Sequence, residues 1–283
     1  MATLPNPLPK LAEDPSGASL GLELPAGRLI DTTDEGPWHE PLLWCADEPA
    51  LPGGWAALEP ARRSAGLLPL VIDVGGGHGG PQEWELAPAD TSYPGDHDPE
   101  EVLADFWNDH DGPDQATPTL TPTTVPTLTT VPDSALSPDS ALSPEAAQAD
   151  PDSVAANIAD SLLTAGGAIT APRLALVPAR RSADIPAVIG WMGPANHESD
   201  PGRLCAVLRS WEDRFGIRVV ALGFDHLLVS VATPPTSPAE AEALAAEHFA
   251  FCPDSFRQDG DPTLREYAER QILDQPTWHF WWD

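Results

Sequence analysis

Residues 200–231 read DPGRLCAVLRSWEDRFGIRVVALGFDHLLVSV, and two periodicities in this stretch decide the fold class. Leu204, Val207, Leu208, Trp211 and Phe215 recur at i, i+3, i+4, i+7 and i+11, which puts them on one stripe of a helix. Asp200 stands as N-cap before Pro201, a residue suited to the first helical position, and Gly216 stands where a left-handed residue closes a helix. Directly after it, Ile217 to Leu222 and Leu227 to Val231 are apolar, largely β-branched runs separated by Gly223, Phe224, Asp225 and His226. That spacing predicts a hairpin.

Further along the chain, Ser237, Pro238 and Glu240 form a capping box for a helix through about Phe251, and Thr263 with Glu266 predicts another through about Leu273. The run Trp278 to Asp283 then places four large aromatics among six residues. Rings of that size stabilise by about 1.5–3 kcal/mol each when buried, so a last strand is expected rather than a frayed end. In such a strand Trp278, Phe280 and Trp282 share one face, with His279 and Trp281 on the other. With Leu174 to Val177 as a first strand, the predicted class is α+β. We expect a small antiparallel sheet with helices packed on one face, in a split βαβ-like order.

The preceding chain reads differently. Leu20 to Leu24, Leu42 to Cys45, Leu67 to Val74 and Trp84 to Leu86 are short strand-like runs between Pro and Gly clusters. One helix is marked by Asp98 as cap, Pro99, Glu101, and the apolar face Val102, Leu103, Phe106 and Trp107. From Gly112 to Asp152 the composition turns to Thr, Pro and Ser, with the hexad Asp-Ser-Ala-Leu-Ser-Pro at 133–138 and again at 139–144. Proline-rich chain of this kind is an extended spacer, with a docking tract for proline-reading modules as the alternative. The expected organisation is therefore a mainly β domain over 1–111, a disordered linker over 112–152 and an α+β domain over 153–283.

With 44 acidic against 14 basic residues, the net charge is -30 and the pI about 4.2. Phosphate contacts need clustered Lys and Arg, so nucleic acid is excluded as a partner, and an anionic membrane surface is disfavoured for the same reason. Residues 1–111 hold 21 acidic and four basic residues, a net of -17, so a basic partner is expected to meet that part first. Cys45, Cys205 and Cys252 are an odd, widely spaced set that reads as buried thiols in a reducing cytoplasm. The opening residues lack a signal-peptide pattern, and no window reaches about 18 uninterrupted apolar residues. Thirteen arginines against one lysine suggest a bacterial source.

Several separated motifs then fall in one order: Gly190, Trp191, Gly193, Asn196 and His197; Leu208 to Gly216; Gly223 to Asp225; Pro234 and Pro235; Glu247, His248, Phe251, Cys252 and Asp254; and Trp278 to Asp283. In these the chain resembles the bacterial family called domain of unknown function 4253, over about residues 174–283. The resemblance implies a compact bacterial domain and brings no activity, cofactor or ligand with it. The Thr/Pro-rich spacer departs from the family's pattern.

Asn196, His197, Asp225, His248, Cys252 and Asp254 all lie near predicted element ends, where convergent polar groups line pockets, and they form the best candidate site. Taken singly, each also suits a cap, a turn or a hydrogen-bonded core edge. His248 and Cys252, four apart on a helix, are two metal ligands where a structural site needs four. Asp96, His97, Asp98, His110 and Asp111 suit a divalent cation but equally flank a helix as solvated turns. Gly75 to Gly80 satisfies G-x-G-x-x-G only because it is nearly all glycine, and a flexible hairpin loop is expected there. Trp38, Trp44, Trp55 and Trp84 suit packing better than a sugar or peptide groove. No metal or cofactor is assigned. The expected role is a non-enzymatic binding or interaction protein, immunity- or antitoxin-like in one form, docking a basic protein partner through an acidic surface. The alternative is a small hydrolase or transferase with His197, Asp225, His248 and Cys252 in one pocket.

Overall fold

Every residue from Leu68 to Asp73 is buried, as befits a strand covered on both faces. The computed structural model describes residues 5–110, 149–165, 169–258 and 263–283. In chain order the helices and strands are α1 (Pro9–Glu13), β1 (Gly27–Ile30), β2 (Thr32–Thr33), β3 (Gly36–Pro37), β4 (Leu43–Pro49), α2 (Gly54–Leu58), α3 (Pro60–Ala65), β5 (Leu68–Asp73), α4 (Pro99–His110) and α5 (Pro151–Ala165). There follow β6 (Pro172–Val177), α6 (Ile185–Ile189), α7 (Pro201–Phe215), β7 (Arg218–Leu222), β8 (His226–Ser230), α8 (Pro238–Phe251), α9 (Asp254–Gln258), α10 (Leu264–Tyr267), a π-helical turn at Ala268–Ile272 and β9 (Thr277–Trp281). Short 3-10 turns join several of them.

One seven-stranded sheet runs through the molecule in the order β1-β4-β6-β5-β7-β8-β9, and β2 with β3 forms a separate two-stranded ribbon. All neighbours in the large sheet are antiparallel except β5 and β7. The α+β class and the mostly antiparallel sheet agree with the sequence. The division into a domain over 1–111 and another over 153–283 does not describe this sheet, because β5 from the first segment lies between β6 and β7 of the second. Leu68 pairs with Val177 and Asp73 with Pro172 on one side, while Val71 and Ile72 pair with Ala221 and Leu222 on the other. Since β6 is antiparallel to β5 and β5 parallel to β7, β6 and β7 run in opposite directions, which a split βαβ unit would not allow.

Helices lie on both faces rather than one. On the first face, α4, α6, α7 and α8 pack with the alternate strand residues Leu43, Leu70, Ala175, Val219, Leu227 and Phe280 in one core. On the other, Ala155 and Ala159 of α5 and Trp55 of α2 meet Val71, Val220, Ala221 and Leu228. Leu11, Leu58 and Ala61 of α1, α2 and α3 cover Trp44, Leu174 and Leu176. Helix α5 starts at Pro151, inside the stretch assigned to the linker; the rest of that stretch, 112–148, lies outside the described residues. Nor are Leu20 to Leu24 and Trp84 to Leu86 strands, since both are turn and coil segments tucked onto the core through buried Leu20, Leu22, Trp84 and Leu86.

The capping signals were translated directly into structure. Asp98 Oδ1 accepts from the Glu100 and Glu101 amides at the head of α4, and Asp200 accepts from the Gly202 amide at the head of α7. Gly216 closes α7 at φ 62°, the left-handed conformation that glycine adopts without a Cβ penalty. At Thr263 the side chain and Glu266 cap each other reciprocally.

Strand β9 has the alternation expected of it: Trp278, Phe280 and Trp282 are buried in the first-face core, and His279 points outward. Trp211 of α7 is fully buried beneath it, with ring centroids 5.7 Å from Trp278 and 5.5 Å from Phe280. Trp278→Ala is expected to lower the unfolding free energy by about 3–5 kcal/mol in urea titration, through lost transfer energy and the cavity left behind. His279→Ala should change it by under about 1 kcal/mol. Equal effects would contradict this assignment of faces.

Candidate functional site

The six candidate residues gather around the end of β9 rather than around a cavity. Asp254, at the start of α9, is buried, and its Oδ2 accepts from His197 Nε2 at 2.6 Å and from the Asp283 amide at 3.2 Å. Arg257 Nη1 donates to its Oδ1 at 2.9 Å, and Asn196 Nδ2 donates to the Asp283 carbonyl at 2.7 Å. Burial pushes the Asp254 carboxyl up, but the Asp283 amide, His197 and Arg257 outweigh it and hold the group below its ordinary range. Cys252, just past α8, donates from Sγ to the Trp281 carbonyl at 3.0 Å and lies 3.2 Å from Ser255 Oγ, which in turn accepts from the Trp281 amide. Asp225, in the turn between β7 and β8, accepts from Trp281 Nε1 at 3.3 Å through its side chain and from the Trp282 amide at 3.0 Å through its carbonyl. His248 packs against Trp278 and Phe280, with ring centroids at 4.7 and 4.9 Å. Five of the six thus touch residues 278–283, and His197 acts on them through Asp254.

This arrangement is a clasp. Beside it, His197 and Trp282 border a cavity of only ≈ 10 Å³, room for about one water and no substrate. Burial pushes the Cys252 thiol up to about 12, the Cys45 thiol up to about 11, and that of Cys205 higher still, so none is a ready thiolate at neutral pH. Burial, and then the charge of Arg214, hold the His248 imidazole well below its ordinary value. Next to it Glu247 is fully buried, accepting from Trp211 Nε1 at 2.8 Å and from both terminal nitrogens of Arg214. A buried carboxylate so paired is stable only while its arginine remains.

Two further constellations join residues that lie far apart in the sequence. Ser92 Oγ meets His97 Nε2 at 2.5 Å, and Asp200 Oδ2 lies 3.9 Å from that same nitrogen. A serine relay needs the acid on the other ring nitrogen, so these residues do not form one. Asp200 also accepts from the Ser92 amide at 2.9 Å, which ties the segment before α4 to α7. At the end of β5, Asp73 accepts from the amides of Gly75, Thr170 and Ala171, and His226 Nε2 lies 3.8 Å from it. Burial raises that carboxyl, but the three amides and His226 outweigh it and leave it below the ordinary range. Nothing local in the sequence separates such residues from caps and turns, because their partners lie up to 108 positions away.

Gly75 to Gly80 leads into a 3-10 turn, Pro81–Glu83, and not into a paired strand, so the expected hairpin is absent there; His78 stacks on Phe224 at 3.9 Å. Asp98 serves as the α4 cap. Among the described residues no group of three or more His, Cys, Asp or Glu side chains is placed to hold a metal ion, and no helix is long and apolar enough to cross a membrane.

Residues 173–283 match the family model for a domain of unknown function, DUF4253. No curated protein and no solved structure matches the chain. The DUF4253 segment contains β6 through β9 and all six clasp residues, but the strand between β6 and β7 comes from outside it.

Two outcomes follow. All three thiols should react with Ellman's reagent at least about 100-fold more slowly in the folded protein than in urea, as expected of buried cysteines; a fast-reacting Cys252 would contradict the clasp. Unfolding frees His248 to bind a proton near 6.5, whereas the folded ring stays neutral. The unfolded state then carries more protons, so stability falls as the pH drops below about 6.5. Asp73 and Asp254, held below 3.8, add their loss at lower pH still. The urea midpoint should fall between pH 7 and pH 5, with a shallower slope in His248→Leu.

Proposed function

We propose that the protein is a non-enzymatic binding protein of the bacterial cytoplasm that docks a basic protein partner through an acidic surface, an immunity- or antitoxin-like role being its most concrete form. The observation that carries this is how the positive charge is spent. At least ten of the 13 arginines are in ion pairs among the described residues, so the local neutralisation is internal and the acidic excess is left to the surface. Around the β2–β3 ribbon Asp31, Asp34, Glu35 and Glu40 are exposed, and a hydrogen bond from the Asp34 amide to the Leu86 carbonyl brings exposed Glu85 alongside. Trp38, half-buried among these acids, supplies the aromatic anchor that interfaces favour. The three free, buried cysteines suit a reducing compartment. The burial of Cys252 and His248 weighs against a hydrolase or transferase built on them.

The full chain is expected to capture a basic protein whose affinity falls about tenfold or more between roughly 50 and 300 mM salt. Replacing Asp31 and Asp34 by Asn and Glu35 and Glu40 by Gln should weaken that binding with no change in the thermal transition. Salt-independent binding, or binding unmoved by the four substitutions, would overturn the proposal.

A further inference from the structure

A cleft of ≈ 230 Å³ opens between the sheet and the loop that follows β5, and its lining includes none of the clasp residues and none of the ribbon acids. Its floor carries Arg28, Asp47 and Arg173, from β1, β4 and β6, and its roof carries Gly79, Gln82 and Glu83. Arg28 spends its charge on Asp47, with Nε at 2.8 Å and Nη2 at 2.5 Å from one carboxylate oxygen. Arg173 differs from the ion-paired arginines. One of its nitrogens donates to the Asp47 backbone carbonyl, and no carboxylate among the described residues pairs with it, although it is half-buried. The roof presents the opposite case. The Glu83 carboxylate lies over Gly79, where a Cβ would come within 1.5 Å of Oε2, and its one partner among the described residues is the neutral Gln82 amide at 3.4 Å. An unpaired cation on the floor and an unpaired anion on the roof therefore face one cleft.

We propose that this cleft binds a free α-amino acid, with its carboxylate on Arg173 and its ammonium on Glu83. A guanidinium fork matches a carboxylate bidentately, which an ammonium side chain would not do. A simple anion would meet Asp47 and Glu83 as like charges, and a simple cation would meet Arg28 and Arg173, so a ligand of both signs fits the lining best. The volume lies below the roughly 300–1,000 Å³ of drug-sized sites and suits a small molecule. The cleft also gives the glycine run a use: backbone without side chains at Gly79 lets Glu83 fold over the opening.

The test is calorimetric titration of the full chain with each of the twenty free L-amino acids. For every one that binds, its methyl ester and its des-amino acid are titrated in parallel. At least one amino acid is expected to bind, with ester and des-amino acid weaker by about tenfold or more, the range for lost charge-assisted hydrogen bonds. Arg173→Gln should lose binding by the same factor. Glu83→Gln, a substitution at an exposed residue, should remove the preference for the amino acid over its des-amino form. No binding of any amino acid at about 10 mM, equal binding of the des-amino acid, or binding unmoved in both variants would overturn the proposal.

Discussion

The strand Leu68–Asp73 lies between two strands that come almost a hundred or more residues later, and the remaining architecture depends on that insertion. Its antiparallel ladder with β6 runs the whole length of the strand, and its shorter parallel pairing with β7 joins the two parts of the sheet. Asp73 finishes the ladder by accepting from three backbone amides, two of them at the entry to β6. Without β5, the backbone groups of β6 and β7 that face each other across it would have no partners in the sheet, a cost of order 1–3 kcal/mol for each one left buried. Both helical layers rest on this strand: Leu70 faces α7's side, and Val71 faces α5's.

Around that centre the two segments are tied again by charge. Asp152 at the start of α5 pairs with Arg62 of α3 and with Arg218 of β7, and Arg218 continues to Glu212 and Arg181. Most of these groups are partly exposed, so each pair contributes little alone. Their effect is on register and choice of partner rather than on the total free energy. The clasp around β9 acts similarly at the other edge of the sheet, where the strand's aromatic face supplies the burial and polar side chains fix its end. A strand at a sheet edge has unpaired backbone groups on its outer side, and Cys252 and Ser255 take up the carbonyl and the amide of Trp281 there, while the Asp225 carbonyl accepts from the Trp282 amide and extends the β8–β9 ladder by one rung.

Much of this was legible where the signal is local. The helix over Pro201–Phe215, its caps, the hairpin and the alternation in β9 follow from periodicity and from residue types at fixed offsets. The division into two domains follows composition, which changes sharply after residue 111, whereas strand pairing across such a gap leaves no trace in composition. Leu67 to Val74 reads as a strand, and its near-continuous apolar run, broken only by Asp73, is the mark of burial on both faces that goes with the centre of a sheet. Five of the candidate residues contact the one segment 278–283, from both faces and its end rather than around one cavity. Their purpose was not legible, because a polar group that fixes a strand end and one that binds a substrate are the same residue types in the same loops.

The shared sheet is tested most directly by producing residues 1–110 and 149–283 as separate chains and recording near-ultraviolet circular dichroism through a thermal scan. One sheet centred on β5 predicts no cooperative transition in either fragment alone and a single transition when they are mixed in equal amounts. A cooperative transition in fragment 149–283 by itself, with the tryptophan signal of the intact protein, would contradict it.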